Sequence, residues 1–525
     1  MIQTGPDVHL TTEATISALA AANDPVWPIT MRRGRSLVRL DEDGDQRTLL
    51  EHTTTSLQRR MSEVAAYVNG AASRVQPPPG VARAVLDSAT QEVAALPPCD
   101  GVATAAYVGP GFETVTEPGY NPRSRLLLRP TVEVPPVILD GERTGPAAAA
   151  WLIDNLLADF PLETSADVAN ALAAVVTLSV RPAIQGATPM FAYLAPTGGA
   201  GTGKGLLSRV SCIGALGGPP IMQAPLSSRE GEEWRKAIST LLMRAPRAVC
   251  FDNITDLDST ALAMAITSEV WHDRRMRTMS AIDVPITNVW LATSNGLHLS
   301  QEMARRIVPI YLDAGVDDPQ YRSGPTTGPR AGGDWLHLDL ATWVAANRGR
   351  VLRAVLTMVE WWKLENMARA EMFGTDEAAW NGGAPLGSEF GAFTRSVGGI
   401  LLACNVHGFL DNHRRLWDQA VGEDHADAFR WFAALHALPG NMDGHTTEQL
   451  LDGALLGGGE GGLPGDLALS DALPVIVIEA GNREAKLKAL RYWMRDHRDG
   501  TIRGYRLVGM DAGRATKWVV QWVAA

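Results

Sequence analysis

Cysteine is scarce in this chain, and long hydrophobic runs are missing. The four cysteines among the 525 residues lie far apart, at Cys99, Cys212, Cys250 and Cys404, and none has the CxxC spacing of a metal or redox site. We therefore expect buried thiols in a reducing cytoplasm and no disulfide scaffold. No stretch of about 18 consecutive apolar residues occurs, so no membrane span is expected. The first residues also lack the pattern of a secretory signal.

Positive charge is in short supply as well, since 47 Lys/Arg stand against 58 Asp/Glu and the formal net charge is −11. This balance speaks against nucleic acid as a partner only where the charge is evenly spread. It is not evenly spread here, because the segment from Asn482 to the end holds ten Lys/Arg and four Asp/Glu. That end of the chain is a local basic region, so DNA stays a candidate partner.

A chain of 525 residues is longer than a single hydrophobic core usually supports, so we expect several domains. The order of helical and apolar patterns along the chain predicts that the protein is of the α/β class. Residues 1–140 have a mixed α/β pattern that indicates no chemistry. Residues 141–320 alternate helical stretches with short apolar runs, which is typical of a parallel sheet. Residues 321–440 have a helical pattern, and residues 441–525 form a terminal domain in which a glycine-rich break precedes the basic region.

A glycine-rich loop between a predicted strand and a predicted helix is the strongest signal. The stretch FAYLAPTGGAGTGKGLL at 191–207 contains the GxxxxGK pattern. Glycines let successive backbone N–H groups point inward, and the following helix adds its positive end, so that the phosphates of ATP are cradled. Lys204 neutralises the β- and γ-phosphates. The predicted nucleotide-binding residues are Gly198, Gly199, Ala200, Gly201, Thr202, Gly203, Lys204, Gly205 and Leu206.

The positions expected to serve magnesium and water are partly replaced. A Ser or Thr that binds Mg²⁺ normally follows the lysine, and here the residue is Gly205. The apolar run at 248–251 ends at Asp252, which we predict to be the magnesium-associated carboxylate, as at the end of such strands in phosphate-loop ATPases. Asn253 stands where an acidic residue usually polarises the attacking water. Asp256 and Glu269 are both near in sequence, and nothing selects either as the general base.

Two further segments contribute candidate residues to the predicted ATP site. The run at 289–293 is followed by Asn295, whose side chain could reach the γ-phosphate and orient water. Arg305 and Arg306 lie on a predicted helix, from which an arginine presented to a neighbouring subunit would stabilise the charge on the transferred phosphoryl group. The predicted catalytic residues are Lys204, Asp252, Asn295, Arg305 and Arg306.

The series GGAGTGKG, VCFDN, TSN and EMARR resembles an AAA+ ATPase of the superfamily 3 helicase kind. It is most similar to the helicase portion of phage, plasmid and integrated-element primase–helicase proteins, over about residues 145–525. The resemblance implies an enzyme that uses ATP and Mg²⁺ and forms a homo-hexameric ring around a DNA strand. It also implies a DNA-contacting hairpin near Met276–Val284, flanked by Arg274, Arg275 and Arg277. Primer synthesis is not implied, because the amino-terminal residues contain no acidic cluster of a primase.

The terminal region has the pattern of a winged helix. Thr446 and Gln449 predict a capping box at the start of one helix, and Asn482 predicts the start of another that runs to about Asp499. Two strands follow and would form a wing on phosphates that flank a groove of duplex DNA. The predicted DNA-binding residues are Lys488, Arg491, Arg495 and Arg498 on the helix, with Arg514 and Lys517 near the wing.

Three functions fit these patterns. The leading hypothesis is an ATP-dependent DNA helicase or self-loading replication initiator of a phage or mobile element. The second is a DNA-bound switch or assembly protein that binds ATP and hydrolyses it slowly, which Gly205 and Asn253 favour. The third is an AAA+ helicase loader that acts on protein, for which removal of residues 441–525 would spare activity.

Overall fold

In the computed structural model, helices near the start of the chain begin where capping residues and a proline occur in the sequence. The structure describes all residues except 6, 44–45, 89–91, 135, 141, 197–199, 227–230, 275–280, 317, 374–385, 439, 457–466, 503, 513–514 and 524–525. Thr53 and Ser56 form a capping box at the second helix, and Pro79 is the first residue of the third, where it removes an N–H group that has no helical partner. The elements are β1 Ile2–Gln3, α1 Val8–Ala21, β2 Met31–Arg33, β3 Ser36–Asp43, β4 Gln46–Glu51, α2 Thr54–Val64, β5 Tyr67–Val68, β6 Arg74–Val75, α3 Pro79–Asp87, β7 Gly101–Ala103, β8 Tyr107–Gly109, β9 Glu113–Val115, β10 Gly119–Asn121 and β11 Leu126–Leu128.

A parallel sheet follows, as the alternation of helical and apolar segments predicts. Its five strands lie in the order β13-β14-β17-β12-β18, and every neighbouring pair is parallel. The elements of this part are α4 Gly145–Leu152, α5 Ser165–Val180, β12 Met190–Ala195, α6 Lys204–Leu216, β13 Ile221–Gln223, α7 Gly231–Met243, β14 Ala248–Phe251, α8 Thr260–Thr267, β15 Val270–Arg274, β16 Ala281–Pro285, β17 Val289–Asn295, α9 Gln301–Ala304 and β18 Ile307–Tyr311. The mixed α/β class with a parallel sheet is therefore confirmed.

The helix α5 is the most buried helix packed against this sheet. Fourteen of its 16 residues are buried, which explains its nearly continuous apolar sequence. Asp167 joins it to the edge strand β18, because one carboxylate oxygen accepts from the backbone N–H of Tyr311 at 2.8 Å and from the amide of Asn412 at 2.6 Å. Burial raises the pKa of Asp167, although hydrogen bonds from Thr164 and from the backbone N–H of Tyr311 oppose the shift.

Long helices follow the sheet, in agreement with the helical pattern of residues 321–440. They are α10 Leu340–Phe373, α11 Gly391–Ala403 and α12 His413–Ala437. The helix α10 packs against α4, α6 and α11. It therefore supports the helix that begins at the predicted phosphate loop.

The last part of the chain surrounds a second core. Its elements are β19 His445–Thr446, α13 Thr447–Leu456, α14 Leu467–Asp471, α15 Val475–Ile478, α16 Arg483–Asp496, β20 Thr501–Ile502, β21 Tyr505–Ala512 and β22 Ala515–Trp522. The strands form an antiparallel sheet in the order β19-β22-β21-β20. Both predicted caps are confirmed: Gln449 N–H donates to the Thr446 hydroxyl at 3.3 Å, and Ala485 N–H donates to the Asn482 side chain at 2.9 Å.

The described residues divide into two compact units. One comprises Met1–His298 with Arg305–Arg414, and the other comprises Leu299–Ala304 with Arg415–Ala525. The amino-terminal segment is part of the first unit, where the hydroxyl of Thr104 donates to the carbonyl of Leu216 at the end of α6 at 2.5 Å. The division of the chain into four domains at 140, 320 and 440 stays a prediction.

Two expectations about composition are met. The four cysteines are buried and free, and burial raises the pKa of Cys99, Cys250 and Cys404 to about 12. Among the helices that the structure describes, none is long and apolar enough to cross a membrane.

Candidate functional site

The candidate site lies at the carboxyl edge of the parallel sheet, beyond β12. In the sheet, β12 lies between β17 and β18: the chain leaves β12 toward β13 on the β17 side, whereas β18 on the other side follows β17 in the chain. A crevice opens at such a point, and ligands of parallel α/β sheets bind there. The predicted phosphate loop connects β12 to α6 at this position.

The described part of the loop fits closely against a later segment of the chain. Gly203 has a left-handed backbone conformation and directly precedes α6. A β-carbon at Gly201 would lie 2.9 Å from the backbone nitrogen of Gln320, so only glycine leaves room for this contact. Gly198 and Gly199 lie outside the described residues.

Lys204 is the first residue of α6 and is only 8% exposed. Its ammonium group donates to the Asn295 side-chain oxygen at 2.6 Å and to the Thr202 hydroxyl at 3.3 Å. Burial lowers the pKa of Lys204 to about 8, although the negative charge of Asp252 acts in the opposite direction. An anion bound at the start of α6 would stabilise the protonated form.

Asp252 lies at the end of β14 and is held by a residue that the sequence patterns do not single out. The hydroxyl of Thr293 donates to a carboxylate oxygen of Asp252 at 2.7 Å and accepts from the backbone N–H of Asn253 at 2.8 Å. The pairing of Phe251 with Ala292 sets this arrangement, since the next residue of each strand then lies side by side.

Asn295 links the two sides of the site. It lies opposite Ala195 at the end of β12, and its amide N–H donates to the side-chain oxygen of Asn253 at 3.3 Å, while its own oxygen accepts from Lys204. The structure thus brings Lys204, Asp252 and Asn295 to one edge. The backbone of Asn253 has a φ of +50°, a conformation that asparagine adopts more readily than most residues.

The two residues considered for the general base lie in different places. Asp256 follows β14 and forms a backbone bridge with His298. A carboxylate oxygen of Glu269 lies 3.8 Å from the position of a β-carbon at Gly186, and its carbonyl accepts from Ile286. Glu269 is therefore near the amino ends of the strands, at the edge opposite Lys204.

The oxygen atoms at this edge suit a hard divalent cation. The carboxylate of Asp252 and the side-chain oxygens of Asn253 and Thr293 are the ligand types that Mg²⁺ prefers. No group of three or more His, Cys, Asp or Glu in the described part of the chain is placed to hold a metal. Magnesium would therefore need phosphate oxygens and water as further ligands, as it commonly does. A β-carbon at Gly205 would meet nothing within 4 Å, so space exists where a hydroxyl usually stands.

Arg322 is a site residue that sequence reasoning missed. Its guanidinium donates to the carbonyl of Gly201 at 3.0 Å and to that of Thr202 at 3.2 Å, and it lies over the ring of Trp335 at 5.0 Å. Burial lowers its pKa. Arg322 thus fixes two successive carbonyl groups of the loop from the side of the later segment.

A cavity of about 240 Å³ adjoins the loop. Its lining combines aromatic and apolar side chains with Arg322 and Asp159: it includes Phe160, Leu206, Trp335, His337 and Leu340. The carboxylate of Asp159 accepts from the backbone N–H groups of Leu336 and His337 at 2.7 and 2.9 Å, which holds this wall in place. The position and lining suit a flat heterocycle attached to phosphates at the loop.

Arg305 and Arg306 do not lie on a helix, contrary to the sequence expectation. The helix α9 ends at Ala304, and both arginines are in the turn before β18. The carbonyl of Arg306 accepts from the N–H of Met190 at 2.9 Å, which places the pair at the amino end of β12. Lys204 follows the other end of this strand, roughly 17 Å away along it. The structure therefore does not bring these arginines to the Lys204 of their own chain.

The basic surface of α16 is smaller than expected. Lys488, Arg491 and Arg495 are exposed on the helix, and Arg495 lies over the ring of Tyr492 at 4.8 Å. They line a groove of about 390 Å³ together with Glu484, Leu487 and Tyr492. Tyr492, which is 56% exposed, is a residue of this groove that the sequence patterns do not indicate.

The other predicted DNA-binding residues lie elsewhere. The helix ends at Asp496, so Arg498 is not on it, and its guanidinium donates to the carbonyl of Gly509 in β21 at 3.0 Å. Lys517 donates to the carbonyl of Asp443 at 3.3 Å. Arg514 lies outside the described residues.

A hairpin occurs close to the place that the family resemblance implies. Its strands β15 and β16 pair from Val270–Pro285 to Arg274–Ala281, so it begins six residues before the expected segment. Arg274 is exposed, and Arg275 and Arg277 lie outside the described residues.

The comparisons with known proteins identify a distant structural similarity. No protein-family model and no curated protein matches the chain. The chain is similar to a solved structure described as "SCCmec type IV Cch - active helicase", with 12% identity and a TM-score of 0.34, over 93% of this chain and 91% of that chain. At this similarity, the case for function rests on the geometry of the site.

Proposed function

We propose that this protein is an ATP-driven enzyme that remodels DNA, a helicase or self-loading replication initiator with an AAA+ phosphate-loop core. The observation that carries the proposal is the position of Lys204. It is a buried lysine at the start of α6, 2.6 Å from Asn295 and at the same sheet edge as Asp252. Such an arrangement has little structural use without an anion, and it matches what phosphoryl transfer requires.

Each residue at this edge would have a distinct role in binding ATP and hydrolysing it. The loop N–H groups and Lys204 would hold the phosphates of ATP, and the cavity lined by Trp335 and Phe160 would hold the nucleoside. Asp252 and Thr293 would hold Mg²⁺ directly or through water, and bound Mg²⁺ supplies charge neutralisation at the phosphates. Asn295 would orient the attacking water by a hydrogen bond. Lys204 keeps its proton throughout, since an adjacent phosphate favours the charged form.

The DNA-binding part of the proposal rests on the second unit. A helix that exposes Lys488, Arg491 and Arg495, followed by an antiparallel pair of long strands, has the parts of a winged helix. Lys488, Arg491 and Arg495 would contact phosphates of duplex DNA, and the hairpin β15–β16 would contact a single strand. The exposed aromatic ring of Tyr492 adds a surface that can pack on sugar or base.

Arg305 and Arg306 support a ring-forming oligomer. They lie at the opposite end of β12 from Lys204, so they could reach a phosphate only in a neighbouring subunit. A homo-hexamer of a phage or mobile-element replication protein is the assembly that the resemblance implies, and the buried free cysteines fit a location in a reducing cytoplasm.

The test is an ATPase assay on the full chain with and without DNA, beside the Lys204→Ala variant. We expect turnover that DNA stimulates and that the variant loses. Absence of both ATP binding and turnover in the wild type would remove the proposal.

Two features of the site favour a second function. Asn253 and Asn295 bond to each other at the place where a carboxylate would activate water, and Gly205 has no hydroxyl for the metal. These features suit a DNA-bound switch that holds ATP and hydrolyses it slowly. Equal and negligible turnover in the wild type and Lys204→Ala, with ATP binding retained by the wild type, would favour the switch. The third candidate, a helicase loader that acts on protein, would instead be favoured by ATPase activity that survives removal of residues 441–525.

A further inference from the structure

The base of the β15–β16 hairpin is anchored on its β15 side by α7. The indole N–H of buried Trp271 donates to the hydroxyl of Ser239 at 2.8 Å, and this hydroxyl donates to the carboxylate of Asp273 at 2.5 Å. Arg235, one turn earlier on α7, forms an ion pair with Asp273 at 3.5 Å. The first strand of the hairpin is thus tied to the core next to β14.

The second strand has a different anchor, the turn between β2 and β3. The guanidinium of Arg33 donates to the carbonyl of Pro285 at 3.3 Å, and Arg35 pairs with the carboxylate of Asp283 at 3.0 Å. Between them, Gly34 has a φ of +56°, and a β-carbon there would collide with the carbonyl of Asp283. The backbones approach so closely that glycine is required on both counts.

The contact between the β2–β3 turn and β16 is linked to further residues on both sides. A carboxylate oxygen of Asp283 also accepts from the imidazole Nδ1 of His272 across the hairpin at 2.7 Å, so Arg35 engages a side chain that links the two strands. Arg33 is 3% exposed and also donates to the carbonyl of Asp100 at 3.2 Å. The turn is therefore bonded both to the hairpin and to the amino-terminal part of the first unit.

We propose that the β2–β3 turn is a brace for the hairpin, through which the amino-terminal segment couples DNA engagement to ATP turnover. The inference rests on the proposed function, because it takes the hairpin as a DNA-contacting element. Each hairpin strand has its own anchor, β15 on α7 and β16 on the turn. A movement of the hairpin relative to α7 must then either carry the amino-terminal segment along or break the contact at Asp283. This gives residues 1–140 a role that their own sequence does not indicate.

Charge reversal at Arg35 and Asp283 separates a brace from simple packing. Arg35→Glu, Asp283→Arg and the double variant are made in the full chain, and turnover is measured without DNA and with saturating single-stranded DNA. Arg59→Glu is the matched control, since Arg59 lies in the same segment and pairs only weakly at the surface with Glu63. Thermal unfolding confirms that each variant is folded.

The brace predicts that each single variant keeps its turnover without DNA and loses about two- to fivefold of the stimulation by DNA, the scale of a partly exposed ion pair. The double variant should regain at least half of this loss, and the control should behave as the wild type. Unchanged stimulation in both folded single variants, or no recovery in the double variant, would overturn the brace. A wild type that DNA does not stimulate would instead overturn the proposed function and this inference with it.

Discussion

At the carboxyl edge of the parallel sheet, Lys204 is buried and bonds to Asn295, while on α16 the cations Lys488, Arg491 and Arg495 lie exposed. The first arrangement fixes one charge in one place through hydrogen bonds of 2.6 to 3.3 Å. The second offers several charges that can adjust to a partner. We expect a single substitution to be decisive at the sheet edge, whereas the effects on α16 should be graded and depend on salt.

The largest effect is expected for Lys204→Ala. It removes a charge that the other groups of the edge cannot replace, so ATP turnover should fall by about a hundredfold or more. The measurement is steady-state phosphate release with and without DNA. Lys488→Ala is the control at the other region and should leave turnover without DNA unchanged. Comparable turnover in Lys204→Ala and the wild type would show that the sheet edge is not an ATPase site.

The exposed face of α16 is tested by changing Lys488, Arg491 and Arg495 together to alanine. Loss of three phosphate contacts should weaken DNA binding by about ten- to a hundredfold at low salt and reduce the slope of log affinity against log salt by about 3. Arg483→Ala is a matched control on the same helix, because its guanidinium is already engaged by Asp452 at 2.6 Å. Binding in the triple variant that equals the control would contradict the assignment of this face.

The Arg322→Ala variant tests whether ATP binding at the sheet edge depends on the hydrogen bonds that hold the loop in place. Loss of the bonds to the carbonyls of Gly201 and Thr202 should raise KM for ATP by about tenfold, the scale of a charge-assisted hydrogen bond. The value of kcat should change much less. Arg322→Lys retains the charge and should recover part of the affinity. A fall in kcat with unchanged KM would assign Arg322 a role in the chemical step instead.

The pH dependence of ATP binding tests the state of Lys204. Burial lowers the pKa of Lys204 in the ATP-free protein to about 8, and a bound phosphate raises this pKa again. At a pH above 8, where Lys204 of the ATP-free protein is largely neutral, ATP binding therefore takes up a proton. The Kd for ATP should therefore rise above pH 8 by up to about tenfold per pH unit. Calorimetry in buffers of different ionisation enthalpy measures this proton uptake. No proton uptake near pH 9 would show that Lys204 does not contact the phosphate.

Gly205→Ser should have the smallest effect. A β-carbon fits at this position, since it would meet nothing within 4 Å, and the hydroxyl would add the missing magnesium ligand. The Mg²⁺ concentration for half-maximal turnover should fall about two- to threefold. Gly205→Ala is the control, because it adds the β-carbon without the hydroxyl. An equal response of the two variants would mean that the hydroxyl has no role here.

The sequence predicted those features that neighbouring residues determine. The strand, loop and helix around Lys204 follow from glycines and an apolar run, and the start of α16 follows from the cap at Asn482. The ends of elements were less accurate, because Arg498 is drawn to the carbonyl of Gly509 and Arg305 lies in a turn. No local pattern distinguishes where these helices stop.

The residues that were missed depend on contacts distant in the chain. Thr293 meets Asp252 only because β14 and β17 pair in one register. Arg322 reaches the carbonyl of Gly201 across more than a hundred residues of sequence. A single threonine or arginine in a sequence gives no sign of such a partner, because both residue types are common on ordinary surfaces.

The close fit of Gly201 against Gln320 has an evolutionary consequence. Because a β-carbon at 201 would lie 2.9 Å from the backbone of Gln320, a side chain at 201 or a change of backbone path around Gln320 requires a matching change in the other segment. The two should therefore be inherited as one unit, and a lineage that replaces the glycine should also remodel the stretch around Arg322. Chimeras that exchange the loop alone between distant homologues should fail, whereas those that exchange both segments should work.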